Sequence, residues 1–97
     1  MVTLDASTLN INPASELTIY QVEEITKLVQ ESFSNAKQVL INLQQTEKID
    51  TAGFQLLISL QKSCSKTNKN FEIIELNSSV ENFLTLCGFS FETKENL

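Results

Sequence analysis

The sequence of 97 residues contains no histidine, no tryptophan and no arginine, so all seven basic residues are lysines. Histidine is the side chain most used for acid and base catalysis and for metal ligation near neutral pH. Arginine is the side chain that grips a phosphate through two parallel hydrogen bonds. From these absences we expect no catalytic residues, no metal site and no cofactor.

The chain also lacks a positive net charge and a long apolar segment. Twelve acidic residues against seven basic ones give a net charge of −5, so nucleic acids and anionic lipid surfaces are expected to repel it. No apolar stretch approaches the roughly 18 residues that cross a bilayer, and no leader pattern precedes residue 11. We expect a cytoplasmic protein that does not insert into the membrane.

Cysteine, glycine and proline are scarce, with two, two and one residues respectively. Cys64 and Cys87 form no C-x-x-C pattern and have no companion ligands in sequence. Both fall in predicted helices, where a cysteine behaves as a small apolar side chain. We therefore expect two buried, reduced thiols.

Hydrophobic patterning predicts one α/β domain that spans residues 1–97. Alternating apolar residues predict an N-terminal hairpin over 2–11, followed by a short extended piece at 16–19. Apolar runs at 39–43 and 71–76 predict two more strands, and the first is typical of a central strand covered on both faces. The expected architecture is a small mixed sheet, with the hairpin and parallel strands, on which helices pack.

Three helices are predicted between and after these strands. The first ends near 34–36 and opens on a capping box of Thr18 and Gln21, and the second spans about 52–66, with Asn68 suited to a left-handed end.

The third helix is expected to open on a capping box of Ser78 and Glu81 and to stop at Gly88. Its buried face is predicted to be Val80, Phe83, Leu84 and Cys87, with Phe89 and Phe91 packing a closing segment on the core.

The segment Asp50-Thr51-Ala52-Gly53 lies where the second helix begins. In open α/β sheets, ligands and partners are met at the carboxyl ends of strands, beside the free N–H groups of the following helix. A phosphate on Thr51 would face that positive helix end, and Gly53 permits close approach of another backbone. Spacing alone equally fits a simpler hypothesis, in which Asp50 or Thr51 merely caps the helix.

A helical wheel assigns the faces of the second helix. Its core side is predicted to carry Gly53, Leu57, Leu60 and Cys64. Phe54 falls at the border and Ile58 points away. Their predicted exposure beside Thr51 indicates a surface for a protein partner.

Two stretches resemble the STAS domain family, which includes bacterial anti-sigma factor antagonists and the cytoplasmic tails of sulfate transporters. They are Val39-Leu40-Ile41-Asn42-Leu43 and Ile49-Asp50-Thr51-Ala52-Gly53-Phe54-Gln55-Leu56-Leu57. The early segment Glu16-Leu17-Thr18-Ile19-Tyr20 and the ending Leu86-Cys87-Gly88-Phe89 are similar to the family as well.

This resemblance implies a regulatory binding module. In the antagonists, an ATP-using anti-sigma kinase phosphorylates the hydroxyl at the position of Thr51. The unphosphorylated form binds that kinase and frees a sigma factor, whereas the phosphorylated form is released. The implied contact residues here are Thr18 and, around the phosphoacceptor, Asp50, Ala52, Gly53, Phe54 and Ile58.

Two other members of the family leave alternatives open. The sequence is also similar to the STAS subunit of a phospholipid-transporting ABC complex, in which the module braces an ATPase without being phosphorylated. A further alternative is a STAS protein that works with chemotaxis kinases.

Overall fold

The computed structural model describes residues 1–88, which form six strands and three α-helices. The strands are β1 (Val2–Asp5), β2 (Thr8–Ile11), β3 (Glu16–Leu17), β4 (Gln38–Asn42), β5 (Lys48–Ile49) and β6 (Asn70–Ile74). The helices are α1 (Ile19–Ser32), extended by a 3-10 turn at Phe33–Asn35, α2 (Thr51–Lys66) and α3 (Ser78–Leu86).

The main sheet is mixed, as predicted. Its four strands lie in the order β1-β2-β4-β6, with β1 antiparallel to β2 and the other pairs parallel. A second, two-stranded parallel sheet pairs β3 with β5, and the sequence did not predict it. Each strand of this small sheet leads directly into a helix, β3 into α1 and β5 into α2.

Strand β4 is central, but the prediction that it is covered on both faces is wrong. Val39 and Ile41 are fully buried, whereas Leu40 and its neighbours on the other face are only half-buried. In register with them, Leu9 and Ile11 of β2 are buried on the same face. The core therefore lies on one side of the sheet, and the apolar Leu40 made the sequence run look continuous.

The start of α1 confirms the predicted capping box. The Thr18 amide donates to Gln21 Oε1 at 3.0 Å, and the Thr18 hydroxyl accepts from the Tyr20 amide at 3.4 Å. The end of α2 agrees too, since Asn68 adopts a left-handed φ of 57°.

The capping box predicted for α3 is wrong, because Asn77 takes the cap one residue before Ser78. Its Oδ1 accepts from the Val80 amide at 3.1 Å. Its Nδ2 also donates to backbone carbonyls of the loop at 43–46. Within residues 1–88, the side chains of Ser78 and Glu81 make no hydrogen bond to that loop. Asn77 thus joins the start of α3 to the loop that leads into β5.

The two cysteines differ in exposure. Cys64 is buried as predicted, but Cys87 is exposed because it lies at the C-terminal cap of α3, where the chain leaves the core. Val80 and Leu84 are buried and Phe83 is half-buried, while Gly88 has a left-handed φ of 71° just after the helix. The segment of Phe89 and Phe91 lies outside the described residues.

This difference predicts selective thiol chemistry. Burial raises the pKa of the Cys64 thiol, and the charge of Lys69 offsets only part of that shift. Under native conditions, iodoacetamide should alkylate Cys87 and spare Cys64, as read by mass spectrometry. Cys87→Ser should abolish the fast reaction, and both sites should react in denaturant. Equal native rates at the two cysteines would contradict the buried placement of Cys64.

Candidate functional site

Two helix N-termini meet at the candidate site. Leu17 and Ile49 are partners in the β3–β5 ladder, and each is followed by a cap residue and then a helix. Thr18 caps α1, and Asp50 caps α2. The short parallel sheet therefore places the first turns of α1 and α2 side by side.

The Asp50 carboxylate joins these two turns. Its Oδ1 accepts from the Gly53 amide at 2.9 Å, within α2, and its Oδ2 accepts from the Ile19 amide at 3.0 Å, at the start of α1. Both hydrogen bonds lower the pKa of Asp50, and the one from the Gly53 amide has the larger effect. The ionised carboxylate satisfies donors that neither helix can satisfy internally.

Thr51 is the first residue of α2, and its side chain is exposed. Of the two capping hypotheses, the structure selects Asp50, because the Asp50 side chain makes the cap hydrogen bond. Within residues 1–88, no hydrogen bond engages the Thr51 hydroxyl. The hydroxyl therefore faces solvent at a helix N-terminus.

Gly53 is needed for packing inside the chain. It is buried, and a Cβ at this position would overlap the carbonyl oxygen of Leu17. The close backbone approach expected at Gly53 is thus made by the chain's own β3, and the glycine is not available to a partner. Ala52, between Thr51 and Gly53, is half-buried.

Thr18 is placed differently from the contact residue that the resemblance implied. Only 3% of it is exposed, and its hydroxyl lies 2.8 Å from Gln21 Oε1. The side chain is used inside the first turn of α1. Its role in the structure is to position that turn.

The predicted faces of α2 are confirmed only on the core side. Leu57, Leu60 and Cys64 are buried together with Gly53. Phe54, however, is half-buried against the core, and its ring meets Phe83 edge-on at 6.2 Å between centroids.

Ile58 is also half-buried, so the expected exposed pair of Phe54 and Ile58 does not form. The Phe83 ring of α3, an element whose position no local pattern reveals, covers part of Phe54.

Sequence reasoning missed the large apolar side chains that are exposed here. Ile19 is 63% and Tyr20 86% exposed, and the Ile19 amide is bonded to Asp50. A wheel for α1 centred on buried Ile25 would have placed both at about 120–140° from the core direction.

Among residues 1–88, no group of three or more Cys, Asp or Glu side chains is arranged to hold a metal ion. The helices of that range are too short or too polar to cross a membrane.

Comparisons with known proteins identify the family and the fold. The family model for the STAS domain matches residues 2–97. The chain belongs to the STAS domain family. No curated protein matches this STAS domain at a significant level.

Solved structures share the STAS fold at low sequence identity. A Thermotoga maritima protein, a candidate anti-sigma factor antagonist, has 19% identity and a TM-score of 0.81, over 99% of this chain and 88% of that chain. A sulfate transporter family protein from Wolinella succinogenes has 14% identity and a TM-score of 0.74, over 90% of this chain and 71% of that one.

The third comparison is with SpoIIAA, an anti-sigma factor antagonist and Bacillus cell fate determinant. Its phosphorylated form has 14% identity and a TM-score of 0.76, over 99% of this chain and 93% of that chain. Its unphosphorylated form has 12% identity and a TM-score of 0.75, with 99% and 90% covered. At these identities, the likeness concerns the fold.

The bridge made by Asp50 predicts a specific dependence on pH. Because the folded-state pKa lies below the ordinary value of 3.8, the bridge stabilises the fold above that value, and its contribution is lost as the pH falls further. Asp50→Ala should cost about 1–2 kcal/mol at neutral pH. Asp50→Asn should cost less, since its Oδ1 still caps α2 while its Nδ2 cannot accept from Ile19.

Urea unfolding at pH 7 and at pH 3 measures this effect. The stability difference between wild type and Asp50→Asn should shrink at pH 3, because below the ordinary pKa of 3.8 the unfolded chain takes up a proton at Asp50 more readily than the folded chain does. Glu24→Gln, which removes an exposed carboxylate of α1, is the control and should cost about 0.5 kcal/mol or less. A difference that does not change with pH would rule out the ionised bridge.

Because of the contact between Gly53 and Leu17, we predict that alanine at position 53 has an effect on stability opposite to the one that helix propensity gives. Alanine normally stabilises a helix interior by about 1 kcal/mol relative to glycine. Here Gly53→Ala should destabilise by about 1–3 kcal/mol, because the new methyl group must displace the backbone of β3. Thermal unfolding measures this, with Gln55→Ala at an exposed position of α2 as the control. A Gly53→Ala variant as stable as wild type would contradict the contact.

Proposed function

We propose that this protein is a phosphorylation-gated regulatory binding module of the anti-sigma factor antagonist type. In its unphosphorylated form it binds an anti-sigma factor that is also a serine/threonine kinase, and a phosphate on Thr51 ends that binding. The proposal places this exchange in the bacterial cytoplasm and assigns no catalysis to the chain itself.

One observation carries the proposal, namely that Asp50 and not Thr51 caps α2. Because the cap is already made, the Thr51 hydroxyl is exposed and has no structural task within residues 1–88. A kinase can therefore reach and modify it without breaking the helix cap. A threonine that served as the cap would be unsuited to this role.

The fold is suited to both states of such a switch. A negative group at a helix N-terminus is favoured by roughly 0.3–1 kcal/mol, so a phosphate on Thr51 should leave the domain folded. SpoIIAA, whose fold this chain shares, is known in phosphorylated and unphosphorylated forms. We therefore expect phosphorylation to act on binding and not on folding.

The surface around Thr51 supports a protein partner. Ile19 and Tyr20 are exposed apolar side chains in the first turn of α1, and Asp50 joins that turn to the start of α2, where Thr51 lies. A phosphate carries about −1.5 to −2 charges at pH 7, and an interface that closes over it must remove its water. The same interface accepts the neutral hydroxyl of unphosphorylated Thr51 at little cost. The unphosphorylated form should therefore bind the partner more tightly than the phosphorylated form.

The test requires the cognate kinase, ATP and mass spectrometry, followed by calorimetry with both forms. Phosphate should appear on Thr51, and the phosphorylated form should bind at least tenfold more weakly. Thr51→Ala should bind constitutively, Thr51→Ser should keep the switch, and Thr51→Glu should weaken binding only in part, since it carries one charge.

Ser59→Ala removes another exposed hydroxyl of α2 and should change neither phosphorylation nor binding. Phosphate found only at other hydroxyls, or equal affinity of the two forms, would defeat the proposal. That outcome would favour the alternative in which the domain is an unphosphorylated subunit bound to an ABC ATPase.

A further inference from the structure

The lysines of this acidic chain are concentrated at one end of the molecule. Lys62 and Lys66 lie in the last turns of α2, and Lys69 starts the return into β6. Lys37 lies beside them just before β4, since its carbonyl accepts from the Asn70 amide at 3.1 Å. These four residues, here called the basic end, are four of the seven lysines.

The arrangement at the basic end is partly fixed. The Lys69 ammonium donates to the Ala36 carbonyl at 2.6 Å and lies 4.9 Å from the centre of the Phe33 ring. Lys37, Lys62 and Lys66 are exposed. Two acidic residues lie at this end, Asp5 beside the hairpin turn and Glu31 near the end of α1. Glu72 and Lys27 lie between the two ends, inside β6 and α1 respectively.

The opposite end is strongly acidic. It comprises the starts of the three helices and the loops before them, and it includes Thr51. Within residues 1–88, Lys48 is the single lysine there. The acidic residues of this end are Glu16, Glu23, Glu24, Glu47, Asp50, Glu75 and Glu81.

Screening separates the two ends electrically. From Thr51 to Lys66, α2 rises by about 22 Å at 1.5 Å per residue. The Debye length at physiological salt is about 8 Å, so the field of the acidic end falls to roughly a twentieth over that distance. A surface that meets the basic end therefore encounters its lysines and is shielded from most of the negative net charge.

We propose that the basic end adsorbs to an anionic lipid surface. The lysines come from three separate segments and spread across one end of the domain, which suits an extended sheet of negative charge better than a single small anion. Each exposed lysine close to such a surface contributes a modest attraction. Lys37, Lys62 and Lys66 are exposed and supply it, while Lys69, held by the Ala36 carbonyl, adds its charge from within the end. Net charge alone had indicated repulsion.

This orientation has a structural consequence. With the basic end on the membrane, the N-termini of α1 and α2 point away from it, and Thr51 remains accessible. The adsorption depends only on the placement of the lysines, so it is independent of the phosphorylation proposal.

The experiment is co-sedimentation of the purified protein with vesicles of phosphatidylcholine containing 30% phosphatidylserine, in about 150 mM and about 500 mM salt. Binding is expected at the lower salt, and it should disappear at the higher salt and with pure phosphatidylcholine. The double variant Lys62→Gln, Lys66→Gln should lower the partition coefficient about 25-fold, at about fivefold per lysine.

Lys48→Glu is the matched control, because it changes the net charge by the same −2 but lies at the acidic end. It should alter vesicle binding less than twofold, and circular dichroism should show both variants folded. Equal losses in the two variants would show that net charge and not the basic end governs binding, and would overturn the proposal. Absence of binding to anionic vesicles at low salt would overturn it too, as would lysine-dependent binding to a short DNA duplex in place of vesicles.

Discussion

The Asp50 carboxylate is the contact on which the candidate site depends. Two helices that start side by side bring two partial positive charges together and leave several amide donors without partners. The negative Asp50 carboxylate lies between them and offsets both partial charges. It also accepts hydrogen bonds from two of the free amides, with Oδ1 accepting from Gly53 and Oδ2 from Ile19. The positions of Ile19, Tyr20 and Thr51 relative to one another follow from that bridge.

The surrounding framework fixes Asp50 through contacts that are distant in sequence. Gly53 lets α2 lie directly on the Leu17 carbonyl. Thr46 is fully buried, and its hydroxyl donates to the Ala14 carbonyl at 3.1 Å, while Asn77 holds the same loop from the side of α3. Because Asp50 makes the cap of α2, the Thr51 hydroxyl makes no hydrogen bond within residues 1–88.

The two ends of α2 carry opposite chemistry. Thr51 lies at the acidic end among exposed apolar side chains, and Lys62 and Lys66 lie at the basic end. A protein that contacts the first and a charged surface that contacts the second would not compete for space. The proposed phosphorylation of Thr51 and the proposed lipid adsorption are therefore compatible in one molecule.

Features that depend on a few neighbouring residues could be predicted from the sequence alone. The capping box of Thr18 and Gln21, the core stripe of α2 and the mixed sheet with its hairpin each have a short repeat or a local hydrogen bond as their cause. The Asp-Thr-Ala-Gly junction likewise predicted where α2 begins. Spacing could not choose between Asp50 and Thr51 as the cap.

Tertiary structure decided everything that depends on which segments meet. The β3–β5 pair has only two residues in each strand, too few for a pattern, yet it sets the two helix starts together. Ile19 and Asp50 are 31 positions apart. The cover over Phe54, the exposure of Cys87 and the one-sided burial of β4 all depend on where helices pack. The clustering of the lysines likewise depends on the fold, because the chain returns from α2 to β6 beside β4. Net charge gives only the sum of the charges and not where they lie.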